Sequence, residues 1–247
     1  MRRNIVLTIQ YDGSRFNGWQ KQGNTQNTIQ GRFEALLSRM TGEEVELHGS
    51  GRTDAGVHAL TQAANFHTDC PLSCREMMDY INEYLPRDAA VTAVREAAPR
   101  FHARLNAVKK RYRYRVRESA VPDVFSRSWV WELGHELDVP AMELAASLLC
   151  GRHDFTSFCD NRRMKKSAVR TLYSVSFSRS GGELIMDFTG DGFLYHMVRL
   201  LTGTLVEVGL GERDAAELVA VLEARDRSLA GALAPAQGLC LMEVYYD

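Results

Sequence analysis

Eleven residues, GSGRTDAGVHA from Gly49 to Ala59, place one carboxylate, Asp54, among three glycines, Arg52 and His58. Glycines reach backbone conformations that other residues resist and let a bound molecule come close. A guanidinium and an imidazole can hold a phosphate or orient a carboxylate. Asp54 has no acidic neighbour within several residues on either side, so it suits a nucleophile or a general acid or base rather than a local metal cluster. The same spacing also suits a tight turn in which an Asp bonds its own backbone, and on spacing alone both readings stand. His58, His67, His102, His153 and His196 repeat no ligand spacing, and the expectation is a site without metal.

A second group of candidates comes from charge. The formal net charge is −1, yet Arg100 to Arg117 holds eight Lys or Arg and no acid, and Arg162 to Arg170 holds five more. Such segregation makes local basic surfaces while acidic segments such as Glu207 to Asp226 cancel the total. A polyanion partner and a merely solvated basic face both fit. Within the first stretch, Lys110 to Arg117 alternates: Arg111, Arg113, Arg115 and Arg117 fall on one side of a strand, Tyr112, Tyr114 and Val116 on the other. Arginines on one side can meet phosphate and an aromatic ring on the other can stack on an unpaired base; tyrosines in a core with solvated arginines would give the same pattern.

These residues need elements to position them. Ile5 to Tyr11 reads as a strand ended by Asp12-Gly13-Ser14. Ile29, Phe33, Leu36, Leu37 and Met40 have helical spacing, with Asn27 and Gln30 as a capping box. Val45 to Leu47 and Ala63 to His67 are expected strands on either side of the glycine loop. Ser73 and Glu76 form a capping box for a helix that Pro86 ends, and Val91 to Glu96 is a strand. Strands follow at Tyr112 to Arg117 and Trp129 to Leu133, then a helix capped by Asp138 running to Gly151. Strands at Val169 to Ser178 and Leu184 to Thr189 are joined by a Ser180-Gly181-Gly182 turn. Helices at Leu194 to Val208 and Ala215 to Ala224 and a last strand, Gly238 to Tyr246, complete the chain. The order lacks sustained βαβ alternation, so an α+β fold with a mostly antiparallel sheet is expected, in two halves, 1–105 and 106–247, sharing one sheet. With 247 residues, 45% hydrophobic and 25% charged, five scattered cysteines and no CxxC pair, a cytoplasmic protein without disulfides, structural zinc or membrane span is expected.

The loop motif is accompanied by others in a fixed order. YDGSRFNGWQKQ (Tyr11 to Gln22), SGRTDAGVHA, FHAR (Phe101 to Arg104), KRYRYRV (Lys110 to Val116), DFTSF (Asp154 to Phe158) and GDGFLYHMVR (Gly190 to Arg199) together resemble the tRNA pseudouridine synthase A family across nearly the whole chain. The resemblance implies a pseudouridine synthase fold, a curved mixed sheet with a central cleft. It implies a homodimer acting on uridines 38, 39 and 40 of the tRNA anticodon arm. It also implies that Asp54 is the catalytic carboxylate, Arg52 the arginine presenting an extruded nucleotide, Tyr112 the tyrosine that stacks near the target base, and Arg199 the basic residue that pairs with the aspartate. His58, Lys110, Arg111 and Arg113 are further expected RNA contacts. The segments 160–168 and 225–237 look individual, and no role is read into them.

Physics is consistent with these roles. Rearranging uridine to pseudouridine moves the ribose from a base nitrogen to a base carbon without net oxidation or hydrolysis, so a positioned carboxylate and a closed pocket suffice. A carboxylate withdrawn from water needs a nearby cation, and Arg199 sits in an otherwise apolar stretch where a lone charge would be costly. Two rival readings fit the sequence: a non-catalytic RNA-binding protein that uses the basic strand, and an RNA hydrolase, which would leave cleaved strands or free base. If the basic stretches carry RNA, tRNA affinity measured by filter binding will fall with salt, by a log–log slope of about −0.7 to −0.9 per phosphate neutralised. A flat response would remove them from the RNA surface.

Overall fold

The computed structural model describes residues 2–161 and 166–247. In chain order the first elements are β1 (Arg3–Tyr11), α1 (Ile29–Thr41), β2 (His48–Gly49), β3 (His58–Thr68), α2 (Cys74–Tyr84), β4 (Ala89–Ala97) and β5 (Ala107–Arg117). There follow β6 (Trp131–Glu132), α3 (Val139–Leu149), β7 (Gly151–Asp154), β8 (Val169–Ser180), β9 (Glu183–Gly190), α4 (Met197–Gly209), α5 (Glu217–Ala224) and β10 (Leu239–Tyr246). The protein is α+β with mixed strand pairing. Two compact units emerge, residues 1–108 with 240–247, and residues 109–239. The chain crosses between the units twice, at 108/109 and at 239/240. The last eight residues return to the first unit because β10 pairs in parallel with β3, Cys240 opposite His58 and Leu241 opposite Ala59.

In the first unit β1 lies between β3 and β4, antiparallel to both, with Leu7 opposite Ala64 on one side and Val94 on the other. Ile5, Leu7, Ile9 and Phe66 are fully buried, as are Leu37 of α1 and Met77 and Ile81 of α2. Period-2 strands and period-3.6 helices thus turn their apolar positions to one core. The helix α2 starts on the expected capping box: Ser73 accepts from Glu76 N–H and Glu76 accepts from Ser73 N–H. For α1 the cap is Thr28, which accepts from Gly31 N–H, rather than Asn27, whose amide is taken by the Arg15 carbonyl. Val45 to Leu47 is not a strand. The Val45 and Leu47 N–H groups donate to Ser38 and Glu34 of α1, and satisfied there they have no need of a neighbouring strand.

In the second unit β5, β9, β8 and β7 follow one another antiparallel, with β6 parallel to β5. The Gly181 and Gly182 pair between β8 and β9 has φ of +60° and +77°, the left-handed pair that a two-residue hairpin turn demands. Helix α4 is buried almost all round, with Met197, Val198, Leu200, Leu201, Leu205 and Val208 all at most 4% exposed, and so behaves as a core helix. No described helix is long and apolar enough to cross a membrane. Strand β7 has no counterpart among the sequence expectations.

Replacing Ser73 by Ala removes a reciprocal cap from an eleven-residue helix. Urea unfolding of Ser73→Ala is expected to show a loss of about 1 kcal/mol.

Candidate active site

The glycine loop is built against the segment that follows β1. Ser50 is buried; its N–H donates to Ala63 O at 2.7 Å and its hydroxyl to Gln62 Oε1 at 2.6 Å, while Gln62 Nε2 donates to Gly51 O at 3.1 Å. Thr53 is held from two sides: its carbonyl accepts from Trp19 N–H at 3.0 Å, and its hydroxyl lies 2.7 Å from the Tyr11 hydroxyl. A Cβ on Gly18, whose φ is +85°, would stand 2.9 Å from Thr53 O and 3.1 Å from Ala55 N. A Cβ on Gly13 would collide with the Val57 carbonyl, and one on Gly49 with the Trp19 indole. At Gly13 and Gly18 backbone meets backbone, which only glycine permits. The YDGSRFNGW stretch is thus the mould in which the loop is cast.

Asp54 opens the turn that follows. Its carbonyl accepts from Val57 N–H at 3.2 Å, and Gly56 supplies a φ of +82° in the third position, where turns of this kind require glycine. With Thr53 buried, the residues on either side differ in exposure: Arg52 is exposed and Asp54 half-buried. His58 lies beneath the turn, 1% exposed, its Nδ1 accepting from Gly13 N–H at 3.1 Å. The same Nδ1 lies 3.2 Å from Asp12 Oδ1. Within the loop this ring is thus tied to the Gly13 backbone.

The remaining candidates belong to the second unit. Tyr112 of β5 is 7% exposed and meets Phe193 edge to face, centroids 5.1 Å apart. Tyr114 is fully buried and donates to Pro235 O at 2.6 Å, and burial pushes its phenol well above the usual range. Arg113 makes a bidentate pair with Asp187 at 2.8 and 3.0 Å; Arg115 pairs with Glu183, and Arg117 with Glu183 and Asp123. Of the alternating arginines these three hold carboxylates. Lys110 and Arg111 lie at the beginning of the same alternation. Of the second basic stretch, Arg162, Arg163 and Lys165 lie outside the described residues.

Arg199 occupies the third position of α4 and donates from Nε to Ala234 O at 2.7 Å. At the head of that helix His196 takes a φ of +64°, and its Nδ1 is 2.7 Å from Asp160 Oδ2. The other Asp160 oxygen accepts from Arg227 at 2.6 Å. Burial opposes the Asp160 charge, but the hydrogen bonds from His196 and Arg227 outweigh it and hold the carboxyl below its ordinary range.

A family model described as tRNA pseudouridine synthase matches residues 7–106 and 145–247. The chain belongs to the tRNA pseudouridine synthase family. It is thereby an isomerase that converts uridine to pseudouridine. It is 45% identical over 243 residues to a Bacillus cereus protein named tRNA pseudouridine synthase A 2, covering 98% of this chain and 99% of that one. A protein named tRNA pseudouridine synthase A from a Bacillus species is 44% identical over 238 residues, covering 96% and 97%. One of the same name from Acetivibrio thermocellus is 43% identical over 244 residues, 99% of this chain and 100% of that one. The matched ranges include both the glycine loop and α4 of this tRNA pseudouridine synthase family member.

Sequence reasoning singled out the loop but not the residues that hold it, Tyr11, Trp19 and Gln62. Tyr11 and Trp19 stand inside a quoted motif; Gln62 carries no local signal at all. Gln62→Leu would remove an acceptor from the buried Ser50 hydroxyl and the Nε2 donor from the Gly51 carbonyl. Urea unfolding should record a loss of about 1–3 kcal/mol, and the variant's pseudouridine formation, followed in vitro, should fall even where it remains folded.

Proposed function

We propose that this enzyme isomerises uridines 38, 39 and 40 in the anticodon arm of tRNA, with Asp54 as the essential carboxylate and no metal or cofactor. In this reading it works in the cytoplasm as a homodimer, each tRNA touching both subunits. The observation that carries the proposal is the loop geometry. Asp54 is half-buried on a turn whose preceding residues are pinned by Tyr11, Trp19 and Gln62, so the carboxylate is presented on a rigid support.

The target uridine is extruded from the stack at a cost of a few kcal/mol, offset by phosphate contacts and by stacking worth about 1–3 kcal/mol per base. Arg52, exposed two residues before Asp54, meets the extruded nucleotide's phosphate. Tyr112 stacks near the base, Lys110 and Arg111 add phosphate contacts, and Arg199 supplies the charge that balances a carboxylate taken out of water. In the reaction the bond from ribose C1′ to N1 breaks and one from C1′ to C5 forms. N1 takes up a proton and the C5 hydrogen leaves to water. Whether Asp54 adds to a ring carbon of the base or engages the sugar, the same side chain must be present, ionised and aimed.

The test uses unmodified tRNA carrying tritium on uridine C5, with chelator present. The wild-type chain should release tritium without strand cleavage or free uracil, and Asp54→Asn should bind tRNA within about twofold of wild type, since phosphate contacts dominate affinity, while releasing none. Undiminished release by Asp54→Asn, or free uracil in the wild-type reaction, would falsify the proposal.

A further inference from the structure

The segment after α5 carries no motif, yet it is bound to α4 along its length. Gly231 N–H donates to Thr204 Oγ1 at 2.9 Å and Ala232 N–H to Glu207 Oε1 at 2.9 Å. Ala234 is joined twice to Arg199, its N–H donating to the Arg199 carbonyl at 3.3 Å and its carbonyl accepting from Arg199 Nε at 2.7 Å. Arg199, Gly203 and Glu207 succeed one another every fourth residue, so they share one helix face. Between the two longer side chains Gly203 leaves a gap, and a Cβ there would collide with the Ala232 carbonyl. At its far end the segment is fastened to β5, where the buried Tyr114 hydroxyl donates to Pro235 O at 2.6 Å. A Cβ on Gly238 would stand 2.6 Å from the same tyrosine ring. At its near end Arg227 reaches Asp160 at 2.6 Å. Glu207 is itself fixed by Arg213 at 2.9 Å.

We propose that residues 230–235 form a strap that positions the Arg199 guanidinium for the reaction, with Tyr114 as the positioning residue that anchors it. The proposal rests on the reading of Arg199 as a reaction residue. Arginine has a long, rotamer-rich side chain, and a bond from Nε to a fixed carbonyl removes that freedom and sets the plane of the whole fork. The carbonyl is fixed only if Pro235 and Gly231 are held on either side of it. Tyr114 and Thr204 hold them. Loosening the strap therefore misaims a charge without removing it, which lowers the rate of the chemical step and spares tRNA binding.

The experiment measures single-turnover rate constants and tRNA affinity for Tyr114→Phe, Thr204→Val and Arg199→Ala, and for Tyr114→Phe and Thr204→Val each combined with Arg199→Ala. Tyr114→Phe and Thr204→Val loosen the strap at different ends, so a folding failure in one leaves the other to decide. Each should slow the chemical step about tenfold, within the range that small misplacements of reacting groups produce, with affinity within about twofold. In the Arg199→Ala background neither should slow it further, because both act through that side chain. Wild-type rates in the Tyr114 and Thr204 variants, or losses that multiply with that of Arg199→Ala, would overturn the strap while leaving the reading of Arg199 intact. An Arg199→Ala chain reacting at the wild-type rate would overturn that reading, and the strap's purpose with it.

Discussion

The close approach of the Thr53–Ala55 backbone to Gly18 is the constraint on which the placement of the glycine loop depends. Two main-chain segments this near leave no room for a side chain and no room for water, so every polar group at the contact must find a protein partner. Trp19 N–H meets Thr53 O, Tyr11 meets the Thr53 hydroxyl, and Gln62 serves both Ser50 and Gly51. None of these bonds touches Asp54 through its carboxylate. They fix the residues before it, and with Thr53 turned inward the next side chain along the chain has little choice of direction. Rigidity in the residues before it gives the Asp54 backbone a defined position.

The second unit solves a different problem, that of holding many arginines near a core. Strand β9 answers β5 with acids in register: Asp187 stands opposite Arg113 and Glu183 opposite Arg117. Glu183 is 5% exposed, and a carboxylate buried to that extent would be costly without the two guanidiniums that meet it. Part of the charge segregation visible along the chain is therefore neutralised across strands, and a run that looks like one basic surface is partly the internal electrostatics of a sheet.

What the sequence made legible follows from which interactions are local. The Ser73–Glu76 cap, the Gly181-Gly182 turn and the alternation of β5 each write their requirement into adjacent residues, and all three appear as read. Val45 to Leu47 was expected as a strand because of its apolar side chains, and Val45 and Leu47 are indeed buried; the backbone bonds that decide strand from loop go to Ser38 and Glu34, several residues away. The same holds for the last strand, whose pattern was evident but whose partner, β3, lies far back in the chain. Of the candidate site, residue type and motif singled out Asp54, the arginines and Tyr112 as candidates, and the glycine loop around Asp54 is built with the close backbone approaches that its glycines suggested. The burial of His58 was not legible, because a histidine beside an aspartate looks the same whether its ring faces a ligand or a glycine N–H.

The segment 225–237 shows why a structurally occupied stretch can look unmotivated. Its bonds to α4 run through its own main-chain N–H and C=O groups at Gly231, Ala232 and Ala234, and a main-chain bond leaves almost no trace in side-chain type. The trace falls on the other partner. Helix α4 carries Thr204, Gly203 and Glu207 where an apolar core helix would otherwise place hydrocarbon: a hydroxyl to accept, a gap to admit a carbonyl, and a carboxylate at the helix's last turn, where the dipole disfavours it. Each is unexpected in a buried helix taken alone, and each is accounted for once the strap lies across it. Arg199 is the fourth member of that set, and the strap explains how an arginine can stand at the first turn of a helix whose other faces are packed with Leu, Val and Met.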